Sequence, residues 1–268
     1  MVNKAIKFGA FIWLFALFSP AWGANLRSDL QSLIPQNEIV IAQILQNENA
    51  YIDKRNNVNY ATLSKELKAR DLLDLQIQNE ANINITFKGA QHKALVLINA
   101  VTKSLDKIGY KYFLSSFFEV NEGIMTWAIV PNSRTLIDPG ALYVELLKNR
   151  VYIKSIKKQG QTSFVYELDA HNAILDGIDL SLSGVRPKEA YFVTCAGRAN
   201  ISIKSQVGDS WTPLIYFFDK NLKLIQTIKE QSHKSAMDLQ LPNGTFYVMI
   251  DDAMSLENIK QGLSISLR

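Results

Sequence analysis

NINITFKGAQHKALVLINAVTKSLDKIGYKYFLSSFFEVNEGIMTWAIV, residues 82–130, decides the fold. Ile83, Ile85 and Phe87 alternate with Asn82, Asn84 and Thr86, the period of a half-buried strand, and Gly89 closes it. From Gln91 to Ile108 the apolar residues fall at Ala94, Leu97, Ile98, Val101, Leu105 and Ile108, one helical stripe, with Gly109 where a helix C-cap belongs. Lys111 to Val120 then sets Tyr112, Leu114, Phe118 and Val120 on one strand face. After the turn signal Asn121-Glu122-Gly123, Ile124 to Val130 returns as the second strand of a hairpin.

Toward the C-terminus, Asp138-Pro139 opens a second helix. The carboxylate serves as N-cap, and the proline sits in the first turn, where no amide is missed. Asn149 closes that helix. Val151 to Ile156 and Phe164 to Leu168 read as two further strands joined across Lys157 to Gln161, with Gly160 free to take a positive backbone angle. The order over 82–169 is βαββαββ. Its first six elements resemble a ferredoxin-like unit, an antiparallel sheet with both helices on one face. That topology serves many unrelated functions, so it implies a fold and no activity.

Upstream, Lys4 and Lys7 precede the apolar run Phe8 to Phe18, then Ser19-Pro20 and Ala21-Trp22-Gly23-Ala24. This is the pattern of a signal peptide over 1–23, with small residues placed for cleavage before Ala24 and an apolar run short for a bilayer. An uncleaved N-terminal anchor is the competing reading. Residues 24–81 form a helical lead-in. Leu26, Leu30 and Leu33 share a stripe, Pro35 breaks it, Ile39 to Leu45 resume it, and Asn59 can cap a helix from Tyr60 to about Leu73 with Glu66 paired to Arg70. These helices serve either as a docking arm or as cover for the neighbouring sheet.

Residues 170–187 are polar or small and mark a domain boundary, although Ile178, Leu180 and Leu182 alternate as an edge strand would. From 188 to 268 short strands recur: Tyr191–Thr194, Ala199–Lys204, Leu214–Phe218, Leu222–Ile228, Ala236–Leu241, Thr245–Ile250 and Leu263–Leu267, spaced as in an antiparallel β-sandwich. The fold class is therefore α+β: N-terminal helices, a ferredoxin-like unit with an extra strand, and a C-terminal sandwich. Ala190-Tyr-Phe-Val193, Ala199-Asn-Ile-Ser-Ile203, Pro213 to Asp219, Leu222-Lys-Leu-Ile225 and Leu241-Pro-Asn-Gly-Thr-Phe-Tyr-Val248 make this last third resemble the bacterial pre-peptidase C-terminal domain. The resemblance implies an accessory sandwich that binds or assists folding, sometimes in contact with calcium or a polymer, without catalysis.

Composition narrows the function. Without residues 1–23 the 29 Lys and Arg fall to 27 against 25 Asp and Glu, and the densest basic run, Lys154, Lys157 and Lys158, sits at a hairpin, so nucleic acid is not an expected partner. The single cysteine, Cys195, lies in an apolar stretch and can form no internal disulfide. A secreted eukaryotic chain of this size more often carries paired cysteines, so a bacterial periplasm fits best. His92, His171 and His233 stand at no metal-ligand spacing. No nucleophile elbow, zinc-protease helix or phosphate loop occurs. Adjacent Asp251 and Asp252 would point to opposite strand faces, a poor acid/base pair. Asp219, Asp251 and Asp252 offer a weak calcium rim.

Thus no catalytic, cofactor or metal residue is expected. Of the aromatic residues, Trp127 and Trp211 are the two whose exposure would mark ligand or partner contact. The expected function is a non-catalytic periplasmic adaptor with an envelope protein partner, and no integral membrane segment once the signal is cleaved. A cell-wall glycan-binding accessory protein and an unrecognised hydrolase are the alternatives.

Overall fold

In the computed structural model, which describes residues 25–175 and 186–268, the lead-in folds as α1 (Leu26–Leu33), α2 (Glu38–Gln46) and α3 (Tyr60–Ala69). The signal segment and the alternation at Ile178, Leu180 and Leu182 lie outside the described residues. Pro35 separates α1 from α2. Asn59 caps α3 by accepting the Thr62 N–H at 3.2 Å, and Glu66 pairs with Arg70 at 2.7 Å, as their spacing requires.

The central unit comprises β1 (Gln76–Asn82), β2 (Asn84–Ala90), α4 (Ala94–Lys107), β3 (Leu114–Asn121), β4 (Ile124–Val130), β5 (Asn132–Thr135), α5 (Pro139–Lys148), β6 (Tyr152–Lys158) and β7 (Ser163–Asp169). Gly109, with φ of 100°, ends α4 as expected. Gly89 lies inside β2 rather than closing it, because an added Cβ there would collide with Leu97 of α4. The glycine marks a close helix–sheet approach. β1 and β5 form a separate two-stranded ribbon. Their sequences, QIQNEAN and NSRT, carry almost no apolar alternation.

The main sheet runs β3-β4-β2-β7-β6. Its first three strands keep the ferredoxin-like antiparallel order. The extra strand is inserted, not appended: β7 pairs in parallel with β2, and β6 is displaced to the outer edge. Composition explains the exchange. β7 reads SFVYELD and has a side chain to bury on both faces, whereas β6 reads YIKSIKK and carries three lysines, which an interior strand cannot solvate.

Leu26, Leu30, Leu33, Ile41 and Ile44 of the lead-in join Phe87, Leu97, Val101, Leu142, Leu146 and Tyr166 in one core, so the helices act as cover. Phe87 stands between Trp127 and Tyr166, with ring centroids 5.9 and 5.6 Å apart. Helix α5 begins at Asp138, whose Oδ1 accepts the Gly140 N–H at 2.8 Å and the Ser64 hydroxyl at 2.6 Å, while Oδ2 accepts Lys68 Nζ at 2.6 Å. One carboxylate thus caps α5 and ties it to α3. Burial opposes its ionisation, yet these donors outweigh burial and hold the carboxyl below its usual range.

The C-terminal unit consists of β8 (Tyr191–Thr194), β9 (Asn200–Ser205), β10 (Pro213–Phe218), β11 (Leu224–Lys229), β12 (Ala236–Gln240), β13 (Tyr247–Asp252) and β14 (Leu263–Leu267). A four-stranded sheet, β11-β10-β13-β8, faces a three-stranded one, β12-β9-β14, all antiparallel. Val193, Ile203, Trp211, Phe217, Val248 and Ile265 fill the space between them. The two units touch through Leu175, whose N–H donates to the Tyr247 hydroxyl at 2.9 Å and whose carbonyl accepts from Thr194 at 3.2 Å. Tyr247 itself packs into the first core.

Candidate functional site: an open sheet edge and its cleft

The two edges of the main sheet are treated in opposite ways. At β6, α1 lies along the edge and occupies its free backbone groups: Asp29 Oδ1 accepts the Ile156 N–H at 3.1 Å, Ser32 Oγ accepts the Lys158 N–H at 2.7 Å, and Asn25 Nδ2 donates to the Lys154 carbonyl at 3.2 Å. Three lysines add a second guard. This is how a sheet prevents unwanted strand addition.

Among the described residues, β3 has neither protection. All eight of its residues are exposed, and LSSFFEVN contains one charge and no lysine. The sequence places Tyr112, Leu114, Phe118 and Val120 on a single strand face. The structure corrects this. A bulge between Ser115 and Phe117 shifts the register, so Leu114 and Phe117 lie opposite Val130 and Ala128, while Phe118 and Val120 lie opposite Trp127 and Met125 on the other face. Apolar side chains therefore flank the open edge on both sides, with Leu114 75% and Phe118 52% exposed.

A cleft of about 1020 Å³ opens where β3 begins, and Tyr112, Phe113 and Leu114 belong to its wall as well as to the start of the edge. Tyr110 forms part of the same wall and is fixed by a 2.6 Å bond from its hydroxyl to the Thr135 carbonyl. Lys107 and Lys111 line the cleft too. Ser104 Oγ and Asn149 Oδ1 belong to buried lining residues and have no hydrogen-bond partner among the described residues. A segment paired with β3 would thus meet a groove that combines apolar surface with the charges of Lys107 and Lys111.

Neither tryptophan singled out by sequence is a surface platform. Trp127 is buried against Phe87 and Phe113 with its Nε1–H donated to Ser115 Oγ at 2.9 Å, and Trp211 is buried in the sandwich with its Nε1–H donated to the Asp251 carbonyl at 2.9 Å. Each indole fills a core and satisfies its donor there. The exposed aromatics of this hairpin and the segment leading into it are Tyr112, Phe117 and Phe118. Sequence composition placed aromatics in this hairpin but could not say which layer covers them.

The calcium rim does not assemble. Asp219 follows Phe218, which pairs with Tyr247, whereas Asp251 and Asp252 pair with Leu214 and Pro213 at the other end of β10. Asp252 is instead a loop anchor, accepting N–H groups of Thr212, Met254 and Ser255 and the Asn258 amide. Burial opposes its ionisation, but these bonds hold its carboxyl below the usual range. Among the described residues no three His, Cys, Asp or Glu side chains gather to hold a metal ion. Cys195 is buried, and burial pushes its thiol up to about 12. His233 meets Thr212 at 2.9 Å, and His171 lines a different pocket.

No family model, curated protein or solved structure matches the chain. No helix among the described residues is long and apolar enough to cross a membrane.

Proposed function

We propose that the protein is a non-catalytic, exported component of a bacterial cell-envelope assembly that binds an extended segment of a protein partner along β3. The observation that carries this reading is the asymmetry of one sheet: β6 has its backbone groups occupied by Asp29 and Ser32, while β3, apolar on both faces, is bare among the described residues. An edge strand of that kind is an aggregation hazard unless it has an occupant. Strand addition supplies backbone hydrogen bonds for affinity, and alternate side chains entering the cleft supply selectivity. The signal-like segment 1–23 supports export, and the sandwich, with its resemblance to pre-peptidase C-terminal domains, serves as the accessory unit.

The test is affinity purification of the C-terminally tagged protein after crosslinking in intact cells, comparing wild type with Leu114→Lys/Phe118→Lys. Both side chains are largely exposed, so the fold should survive with an unchanged Tm. Loss of a reproducible envelope protein from the variant supports the reading. An unchanged set of captured proteins sinks it. Cell-wall glycan binding, the alternative, moves from Trp211 to Tyr112, which is almost fully exposed on the cleft wall. Sedimentation with peptidoglycan that Tyr112→Ala abolishes would favour that reading instead.

A further inference from the structure

A second pocket, of about 460 Å³, lies at the junction of the two units and is lined by Arg55, Lys93, Arg150, His171, Lys220 and Phe246, among others. Among the described residues no acid belongs to its lining. Its cations come from separate turns, each fixed in place. Asp53 Oδ1 accepts the N–H groups of Arg55 and Asn57 at 2.8 and 2.9 Å, and the Arg55 guanidinium bonds to the Tyr152 hydroxyl and lies over that ring, 4.9 Å from its centroid. Lys93 ends the short turn leading into α4. Arg150 follows α5 in the left-handed region, with φ of 53°. Lys220 sits in the sandwich turn that Asp219 Oδ1 holds through the N–H groups of Asn221 and Lys223 at 2.7 and 2.9 Å.

Lys93 makes this more than a basic surface. The residue is only 4% exposed, so its stem is held in the packing and its ammonium is delivered to the pocket, where it has no hydrogen bond or ion pair among the described residues. The side chains of Arg150 and Lys220 are likewise unpaired there. Burial, reinforced by repulsion from Lys220, lowers the Lys93 pKa, and attraction to Asp219 only partly offsets it. Holding several cations around one pocket without a counter-charge is costly, and a lysine whose stem is packed cannot swing its charge away. Such an arrangement is stable when an anion completes it.

We infer that the junction pocket binds a phosphoryl-bearing anion. Guanidinium groups form paired bonds to phosphoryl oxygens, a lysine adds a compact point charge, and four cationic side chains call for more than the single charge of a carboxylate. The pocket has room for a group larger than one phosphate, such as a diphosphate or a phosphomonoester. Arg55, Lys93 and Arg150 belong to the first unit and Lys220 to the sandwich, so the anion also clamps the two units together.

Titration calorimetry and thermal unfolding of the purified protein with inorganic phosphate and pyrophosphate test the assignment, alongside Lys93→Met and Lys220→Ala. Sedimentation with phosphatidylcholine vesicles, with and without phosphatidic acid, identifies the source of the group. The expected result is saturable one-site binding that raises Tm and weakens at least about tenfold in each variant, a loss typical of removing one charged contact. Without anion, Lys93→Met keeps or raises the wild-type Tm, because one charge of the like-charged lining is gone while the packed stem is replaced in kind. Binding of pyrophosphate without vesicles assigns a soluble ligand, and binding confined to phosphatidic acid vesicles assigns a lipid headgroup. Absence of saturable binding to all of these, or binding indifferent to both variants, overturns the inference. Lys220 is exposed in a turn, so its variant remains informative if Lys93→Met fails to fold.

Discussion

Replacing Asp29 with asparagine should remove a pH dependence that the seating of α1 on β6 builds into the fold. Asp29 is 1% exposed, with Oδ2 accepting the Tyr60 hydroxyl at 2.6 Å and Oδ1 accepting the Ile156 N–H. Burial outweighs both hydrogen bonds and raises its carboxyl from 3.8 to about 6. The folded state therefore holds a proton that the unfolded chain releases near pH 4. Stability from this group is fully present below that lower value and declines as pH rises to the folded one. The shift corresponds to about 3 kcal/mol in all, of which roughly 2 kcal/mol falls between pH 4 and pH 7. Asparagine keeps the shape and an acceptor for Ile156 but does not titrate. Urea unfolding of both proteins across that range gives the difference directly, since every other carboxyl is common to the two. The asparagine variant should gain on wild type by about 2 kcal/mol as pH rises. A difference that stays flat would mean Asp29 is not buried at this contact, and the guarded edge would lose its main support.

Three other substitutions probe the remaining joints. Gly140→Ala places a Cβ 2.9 Å from Ser64 Cβ and 3.1 Å from the Tyr60 carbonyl, so α3 and α5 must separate, at a cost of about 1–3 kcal/mol in chemical denaturation. Asp138→Ala removes the α5 cap and the bonds from Ser64 and Lys68, costing about 1–2 kcal/mol at neutral pH. Because the folded Asp138 pKa lies below 3.8, its stabilisation is complete above that value and disappears as pH falls through the folded one, so the variant's deficit should shrink in acid. Trp211→Ala should destabilise the sandwich by about 3–5 kcal/mol, read by denaturant melts, whether or not any glycan is present.

Where the sequence was legible, a local chemical reason made it so. Asp138-Pro139, Asn59 and Gly109 mark their helix ends because caps and stops are decided by the residue itself. The seven sandwich strands follow from short alternating runs between turn residues. The placement of β7 inside β6 was also present in the lysine content of the two strands, although the element order alone suggests the extra strand at the edge. Alternation at Leu114, Phe118 and Val120 misled because periodicity groups residues by face without saying whether any layer covers that face, and the bulge at Ser115 to Phe117 then divided the group. Trp127 and Trp211 show the converse: nothing local distinguishes a core indole from a platform. The cations of the junction pocket are scattered from Arg55 to Lys220, and each alone reads as a solvated surface charge. Folding of the first unit gathers Arg55, Lys93 and Arg150, and the docked sandwich adds Lys220.

Site-specific photocrosslinking in intact cells tests the open edge most directly. A benzophenone side chain placed at Ser116 or Phe118 of β3, and in a separate strain at Lys154 of β6, samples both edges of one sheet under the same conditions. The account predicts a discrete adduct with an envelope protein from the β3 positions and none from Lys154. No protein adduct from β3, or the same adducts from both edges, would contradict it.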